Sequence, residues 1–495
     1  MTTTQTGAAE VAVPEVPTQL FIGGEWRDAS DGGTFTAIAP ATERDLAELA
    51  SASAADVDAA VAAARAQFDG GAWAQLTGAD RGLLLHRLAD LIERDLETFA
   101  TLEAHDVGRP VFETRMVDIP LVVDVFRHFA GWADKIEGRW VNPQPLFGQQ
   151  RVAYTIREPL GVVGAITAWN VPTVLAAWKL GPALAAGNAV VLKPAEDASL
   201  SALHLAKLIE EVGFPPGTVN VVPGLGETAG ATLVRHPGVD KLTFTGSLEV
   251  GREIGVEAAR SFKRVTLELG GKSPQIVLGD ASPEAIVPGL AMGFTVNQGE
   301  LCAAGTRIFV HRDLYDDVVA GVAEAAKGIR VGDPFDPDAQ MGALINRSQL
   351  ERVTGYIERG KQEGAELVAG GARLERPGYF VEPTVFAGGG NEIAIAQEEI
   401  FGPVGLVLPF DDLDEAVAQA NDTPYGLAAY VWTRDVSEAH KLAARLRAGS
   451  VWVNGAAPPD ARLPWGGLKG SGVGRELGFA GIESNTEEKT VTIAL

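Results

Sequence analysis

A chain of 495 residues, 46% hydrophobic and 21% charged with 58 glycines, has material for two or three domains and the composition of a globular α/β protein. Its net charge of −24 argues against a nucleic-acid partner, because phosphates would be repelled. The first twenty residues carry no Lys or Arg and the longest apolar runs, such as 286–296, fall far short of a bilayer span, so neither a secretory leader nor a membrane is expected and the cytoplasm is the expected compartment.

Residues 1–18, rich in Thr, Ala and Pro, read as a disordered tail. From about 54 to 136 apolar residues recur at helical spacing, as in 80–103 and 120–135. The character then switches. Val152, Tyr154 and Ile156 alternate with more polar residues across 151–157, a strand exposed on one face, with an extended arm before it at 140–145. Residues 490–495 alternate in the same way, with Val491, Ile493 and Leu495 on one side. Two isolated strands so remote in sequence suggest pairing across a subunit interface, with plain edge strands the alternative.

Between these segments, strands at 161–167, 189–192, 219–222, 241–244 and 264–267 take turns with helices at 173–184, 200–212, 228–235 and 248–260. That series predicts a Rossmann-like, doubly wound parallel sheet. A second alternating region from 271 to 470, with strands near 307–310, 405–409, 429–433 and 451–454, predicts a second α/β domain, and it carries the one cysteine, Cys302.

A lone thiol can form neither an intrachain disulfide nor a thiolate metal cluster, so it is either an inert buried side chain or a nucleophile. Gly299 and Gly305 bracket it and allow close approach of a ligand, and Ala303 and Ala304 leave room beside the sulfur. No His/Cys spacing fits a metal site, and none is expected. Thr245-Gly246-Ser247 closes a strand and opens a helix, with Ser247 a good N-cap, so free N–H groups there favour an anion. Lys193 and Glu196 follow the second strand, at the edge where such sheets form their ligand crevice. A carboxylate at Glu196 would accept bonds from both ribose hydroxyls and repel a 2′-phosphate, favouring NAD over NADP; Lys193 pulls the other way, and a surface ion pair is the bland alternative. Glu268, at the end of the last strand before Gly270 and Gly271, is placed either as a base for water or as a loop charge. Asn170, after the first strand, offers an amide donor to an oxyanion or a cap to the next helix.

In their order and spacing, Trp169-Asn170-Val171-Pro172, Lys193-Pro194-Ala195-Glu196, Phe244-Thr245-Gly246-Ser247, Glu268-Leu269-Gly270-Gly271, Asn297-Gln298-Gly299 with Cys302, Glu398-Glu399-Ile400-Phe401-Gly402-Pro403 and Pro464-Trp465-Gly466-Gly467 resemble the NAD(P)-dependent aldehyde dehydrogenases, from about residue 20 to the C-terminus. The resemblance implies the fold of that family: a cofactor domain from 19–138 and 158–270, a catalytic domain from 271–470, and a small β oligomerisation arm from 139–157 and 484–495 in a homodimer or homotetramer. It implies that Cys302 attacks the aldehyde carbon, that Asn170 and the Cys302 N–H form the oxyanion hole, and that Glu268 activates the water that hydrolyses the thioester. It implies a cofactor held by Thr167, Trp169, Lys193, Glu196, Gly246, Ser247, Glu399 and Phe401, and a proton-relay pair in Lys179 and Glu476. Three departures stand out. Ala168 replaces a usual Pro, Leu301 a frequent second Cys, and Glu300 a common Gln. A carboxylate at Glu300 would raise the thiol pKa if it faced the sulfur.

By the same resemblance the substrate tunnel is lined by Val171, Leu175, Trp178, Val296, Leu301, Pro459 and Trp465. The spacing 171, 175, 178 is one helix face, and a core stripe would look the same. Walls without fixed charge predict an apolar or aromatic aldehyde, with betaine-type or amino aldehydes next, since Trp178 and Trp465 could face a cation. A CoA-acylating enzyme is disfavoured by the presence of Glu268, and an inactive structural relative by the presence of Cys302, Glu268 and Asn170 together.

Overall fold

Five strands, Val162–Ile166, Ala189–Lys193, Val219–Val221, Lys241–Thr245 and Arg264–Glu268, lie parallel in the computed structural model, with the first in the middle, the second and third on one side and the fourth and fifth on the other. The chain reverses winding at the first strand, as a doubly wound sheet requires. The first two strands, buried on both faces, read as apolar runs, whereas the other three carry polar residues such as Asn220, Thr243 and Thr266. Val163, Ala165, Val190 and Leu192 face one core, and Val162, Ile166, Ala189 and Val191 face the other. The structure describes residues 11–456 and 458–495, and among these the chain forms four sheets.

The central sheet has antiparallel edges that local pattern did not announce. Leu20–Ile22 and Glu25–Arg27 close one side, and Gly472–Val473 adds to the other beside Arg264–Glu268. The helix Pro172–Ala186 is buried along its whole length, between the sheet and the layer formed by Gly78–Arg94 and Ile119–Trp132. The second sheet is parallel except for Glu366–Ala369, and it contains Pro274–Val277, Arg307–His311, Thr384–Ala387, Val404–Phe410, Ala428–Trp432 and Ser450–Val453. Pro274–Val277, Glu366–Ala369 and Thr384–Ala387 are short strands without a clear alternation, so the sequence pattern does not mark them.

Four expectations change. The helical run 80–103 is broken: Gly78–Arg94 ends at Asp95, and Leu96–Val107 begins anew. Residues 228–235 open on a wide turn at Gly226–Gly230 before the short helix Ala231–Arg235. Within the tail, 1–10 lie outside the described residues, whereas Val13 and Val16 pack against the core, because two apolar side chains there find an apolar surface. The two alternating strands expected to pair across a subunit interface pair with each other in one chain. Arg151–Pro159 and Thr486–Ala494 run antiparallel from Pro159↔Thr486 to Arg151↔Ala494, with Trp140–Val141 as the third strand. No helix among the described residues is long and apolar enough to cross a membrane.

Candidate active site

Cys302 follows a backbone that runs left-handed for three residues, Asn297 (φ +48°), Gln298 (φ +55°) and Gly299 (φ +71°). Two of the three carry side chains, so the turn is strained and is held by its surroundings. The thiol is half-buried. Burial, then the carboxylates of Glu399 and Glu268, push it up to about 12, while the N–H groups of Ala303 and Cys302 itself favour the thiolate. Gly271 backs onto this loop, and a Cβ there would collide with the Cys302 carbonyl oxygen. Glu300 does not face the sulfur as the sequence allowed: it is fully buried, with one oxygen accepting from the Ile345 N–H at 3.1 Å, and Glu399 and Glu268 are the charges that act on the thiol.

Asn170 is not a helix cap. The cap position of Pro172–Ala186 falls to Val171, and the Thr173 N–H is taken by Glu103 at 3.0 Å. The buried Asn170 amide donates one hydrogen to the Glu300 carbonyl at 2.9 Å, two residues before the nucleophile, and keeps a second for a ligand. Asn297 ties the arrangement, donating through Nδ2 to the Asn170 carbonyl at 2.9 Å and to the Glu300 carbonyl at 3.3 Å.

Glu268 is no loop charge. Its side chain is buried at the strand end, and among the described residues neither carboxyl oxygen finds a hydrogen-bond partner. Burial raises its pKa well above the usual carboxylate range, and the charge of Glu476 adds to this against Lys179 and Arg475. A Cβ on Gly466 would crowd Glu268 Oε1, so the bare backbone of Gly466 makes the space this carboxylate occupies. Lys179 and Glu476 pair at 2.6 Å in full burial, and Lys179 Nζ also donates to Thr245 Oγ1 at 2.8 Å. Glu476 exchanges backbone hydrogen bonds with Trp465 at 2.7 and 2.8 Å, which joins the relay candidate to the tunnel candidate.

The carboxyl ends of the parallel strands carry the groups expected to hold a dinucleotide. Ser247 caps the helix Leu248–Ser261, its hydroxyl accepting from the Val250 N–H at 3.3 Å, and bare backbone at Gly246 precedes it. Thr167 N–H donates to the Lys193 carbonyl at 3.2 Å, joining the first two strand ends. Lys193 pairs with Glu196 at 2.7 Å, and Glu196 also accepts from the Gly226 N–H at 3.3 Å. Burial works against the Glu196 charge, but the Lys193 ammonium outweighs it and holds the carboxyl below its usual range. On the far side of the crevice Glu399 accepts from the Gly271 N–H at 2.9 Å, and burial pushes its carboxyl up to about 7. Phe401, itself left-handed at φ +60°, meets Trp169 edge to face at 5.2 Å. This donor chemistry fits a dinucleotide: a helix N-terminus for the pyrophosphate and a carboxylate for each ribose. No group of three His, Cys, Asp or Glu among the described residues could hold a metal ion.

An aromatic wall lies beside the nucleophile. Trp178 and Trp465 stand 5.6 Å apart, Trp465 and Trp452 6.0 Å, and Trp452 stacks on Tyr430 at 5.1 Å. Tyr430 donates its hydroxyl to the Ala303 carbonyl at 2.9 Å. Leu175, Trp178 and Trp465 are buried in the cluster against which Val171, Cys302, Ala303 and Trp452 pack. Val296, Leu301 and Pro459 are half-buried and lie outside that cluster. Trp452 and Tyr430 were missed from sequence, where each reads only as one apolar position of a strand.

The sequence model described as the aldehyde dehydrogenase family matches residues 26–491. The human mitochondrial aldehyde dehydrogenase is 48% identical over 493 residues, covering 99% of this chain and 95% of that protein. Among solved structures, the aldehyde dehydrogenase of Bacillus cereus in complex with NAD+ superposes with a TM-score of 0.95 at 46% identity, covering 97% of each chain. The indole-3-acetaldehyde dehydrogenase AldA of P. syringae, in complex with NAD+ and IAA, superposes with a TM-score of 0.94 at 43% identity, again over 97% of each.

Proposed function

Because this chain belongs to the aldehyde dehydrogenase family, we propose that it oxidises an apolar or aromatic aldehyde to the carboxylic acid, using NAD, through a covalent Cys302 thioester. The observation that carries this is one half-buried thiol, one buried carboxylate with no hydrogen-bond partner among the described residues, and one amide bonded to the loop that holds the thiol. Cys302 gives its thiol proton to water and attacks the carbonyl carbon as the thiolate, and the oxyanion so formed accepts hydrogen bonds from Asn170 Nδ2 and the Cys302 N–H. NAD, when bound, would supply the hydride acceptor that this oxidation needs. Glu268, whose burial strengthens it as a base, then takes a proton from the water that attacks the thioester. The buried Glu476–Lys179 pair, whose charges both act on Glu268, supports a relay that passes that proton onward. Lys193, Glu196, Gly246 and Ser247 would hold the adenosine and pyrophosphate of the cofactor, with Glu399 and Phe401 at the nicotinamide ribose and Thr167 and Trp169 as further cofactor contacts. The Glu196 carboxylate supports NAD over NADP.

The tryptophan wall supports an aromatic or apolar substrate, as does likeness to an enzyme named for indole-3-acetaldehyde. The same rings favour a cationic aldehyde as the second reading, through cation–π contact. The exposed apolar side chains of Trp140, Phe147 and Ile493 on the three-stranded arm support a homodimer or homotetramer built through it. A single free thiol suits a reducing compartment such as the cytoplasm. The test mixes the protein, NAD and a panel of aldehydes without CoA and follows NADH. Phenylacetaldehyde and hexanal should turn over faster than succinate semialdehyde. Cys302→Ala should abolish turnover, and Glu268→Gln should give one burst of NADH and then stall. NADH formation only when CoA is added, or an unchanged steady state in Glu268→Gln, would overturn the hydrolytic mechanism.

A further inference from the structure

We infer that Glu113 is a positioning residue of the oxyanion hole: through Asn297 it sets the spacing between the Asn170 amide and the Cys302 loop. This rests on the function proposed above. The strained left-handed run Asn297-Gln298-Gly299 needs an external partner for its first N–H, and Glu113 provides it, with Oε2 accepting at 3.2 Å. The Asn297 side chain then bridges the two halves of the hole, donating to the Asn170 carbonyl at 2.9 Å and the Glu300 carbonyl at 3.3 Å. Asn170 closes the circuit by donating to the same Glu300 carbonyl at 2.9 Å.

Glu113 is itself fixed. Arg109 donates to it at 2.9 Å and to Asp118 through its other terminal nitrogen, and all three side chains are buried. Glu113 and Asp118 sit on the segment from Val111 to Asp118, which contributes no strand to either sheet, and Arg109 lies just before it. A buried ion pair there is weak evidence of stabilisation, since desolvation offsets its attraction. Its geometric consequence is specific: a carboxylate that cannot move holds the first residue of the strained run. Release of that hold would let the run relax and shift the Cys302 N–H relative to Asn170, and a displacement of about 1 Å costs on the order of 100-fold in rate.

The experiment uses the full chain with NAD and phenylacetaldehyde under rapid mixing, together with acylation of Cys302 by p-nitrophenyl acetate in the absence of NAD. Glu113→Ala should slow both the NADH burst and the acylation by about 100-fold, while the KM for aldehyde and the Kd for NAD stay within about twofold. Glu113→Gln, which keeps an acceptor oxygen for the Asn297 N–H, should recover both rates to within about tenfold of the parent. Asp118→Asn weakens the same Arg109 pairing without touching Asn297, and should leave both rates within about threefold whatever it does to Tm. Should Glu113→Ala fail to fold, Asn297→Ala, which deletes the bridge and leaves the ion pairs in place, carries the same expectation. A folded Glu113→Ala or Asn297→Ala protein with the parent's burst and acylation rates overturns the inference, as does an Asp118→Asn protein slowed as much as Glu113→Ala. Failure of the underlying function looks different: the unmodified protein would then form no NADH with any aldehyde, while ester acylation would still report on the Cys302–Asn170 spacing.

Discussion

Lys179→Met should destabilise the protein sharply, and adding Glu476→Gln should restore most of the loss. The two charges lie 2.6 Å apart, with side-chain exposures of 0% and 4%. At that distance, with an effective dielectric constant near 20, their attraction is about 6 kcal/mol, of which the cost of dehydrating both ions cancels a large part. Deleting only the lysine leaves a buried carboxylate facing Thr243 and Glu268, which costs about 3–5 kcal/mol. Unfolding entropy of about 2 cal/mol/K per residue amounts to roughly 1 kcal/mol/K over this chain, so Tm should fall by about 3–5 °C if the chain melts as one unit. The Lys179→Met/Glu476→Gln protein, with neither charge to bury, should return to within about 2 °C of the parent. Scanning calorimetry of the four proteins at one concentration, without cofactor, measures this. Repetition at higher salt should leave the differences intact, because a pair excluded from solvent is little screened. A Lys179→Met melt within about 1 °C of the parent, or a double variant no more stable than the single one, would refute the reasoning.

Other outcomes follow from the same site. With the thiol pushed up to about 12, alkylation of Cys302 by iodoacetamide in the cofactor-free protein should climb about tenfold per pH unit from 7 to 10. Glu399→Gln should speed it throughout, and a plateau near pH 8.5 would contradict the role of burial. Burial pushes the Glu399 carboxyl up to about 7, and ribose hydroxyls donate better to the ionised form, so NAD binding should release a proton at pH 6, strengthen as pH rises, and release almost none by pH 8. Titration calorimetry should show that slope in the parent and none in Glu399→Gln. Gly271→Ala places a methyl group against the Cys302 carbonyl oxygen, so its turnover should drop by about 100-fold with NAD affinity nearly kept; parental kcat would show that the loop yields freely.

Much of the central sheet was legible because its cause is local. The helix at 200–212 and the strands at 189–192 and 264–267 appear within a residue of their expected ends, since helical apolar spacing marks the first, an unbroken apolar run the second, and alternation of Val265 and Leu267 with polar residues the third. The antiparallel edges, Leu20–Ile22 and Gly472–Val473, escaped notice because each is too short for a period to register. The pairing of Arg151–Pro159 with Thr486–Ala494 was out of reach for another reason: alternation marks a strand but says nothing of which strand it joins.

The sequence by itself determined the chemistry on offer: one thiol among glycines, a carboxylate and an amide at strand ends, and a capped helix for phosphate. Only the tertiary structure decided how that chemistry is aimed. Glu300 turned toward Ile345 rather than the sulfur, Trp452 stacked on Tyr430 beside the Cys302 loop, and Glu113 reached Asn297 across 184 residues of chain. Residue type and spacing record what a side chain can do, whereas direction and neighbours arise when distant segments compete for the same buried space.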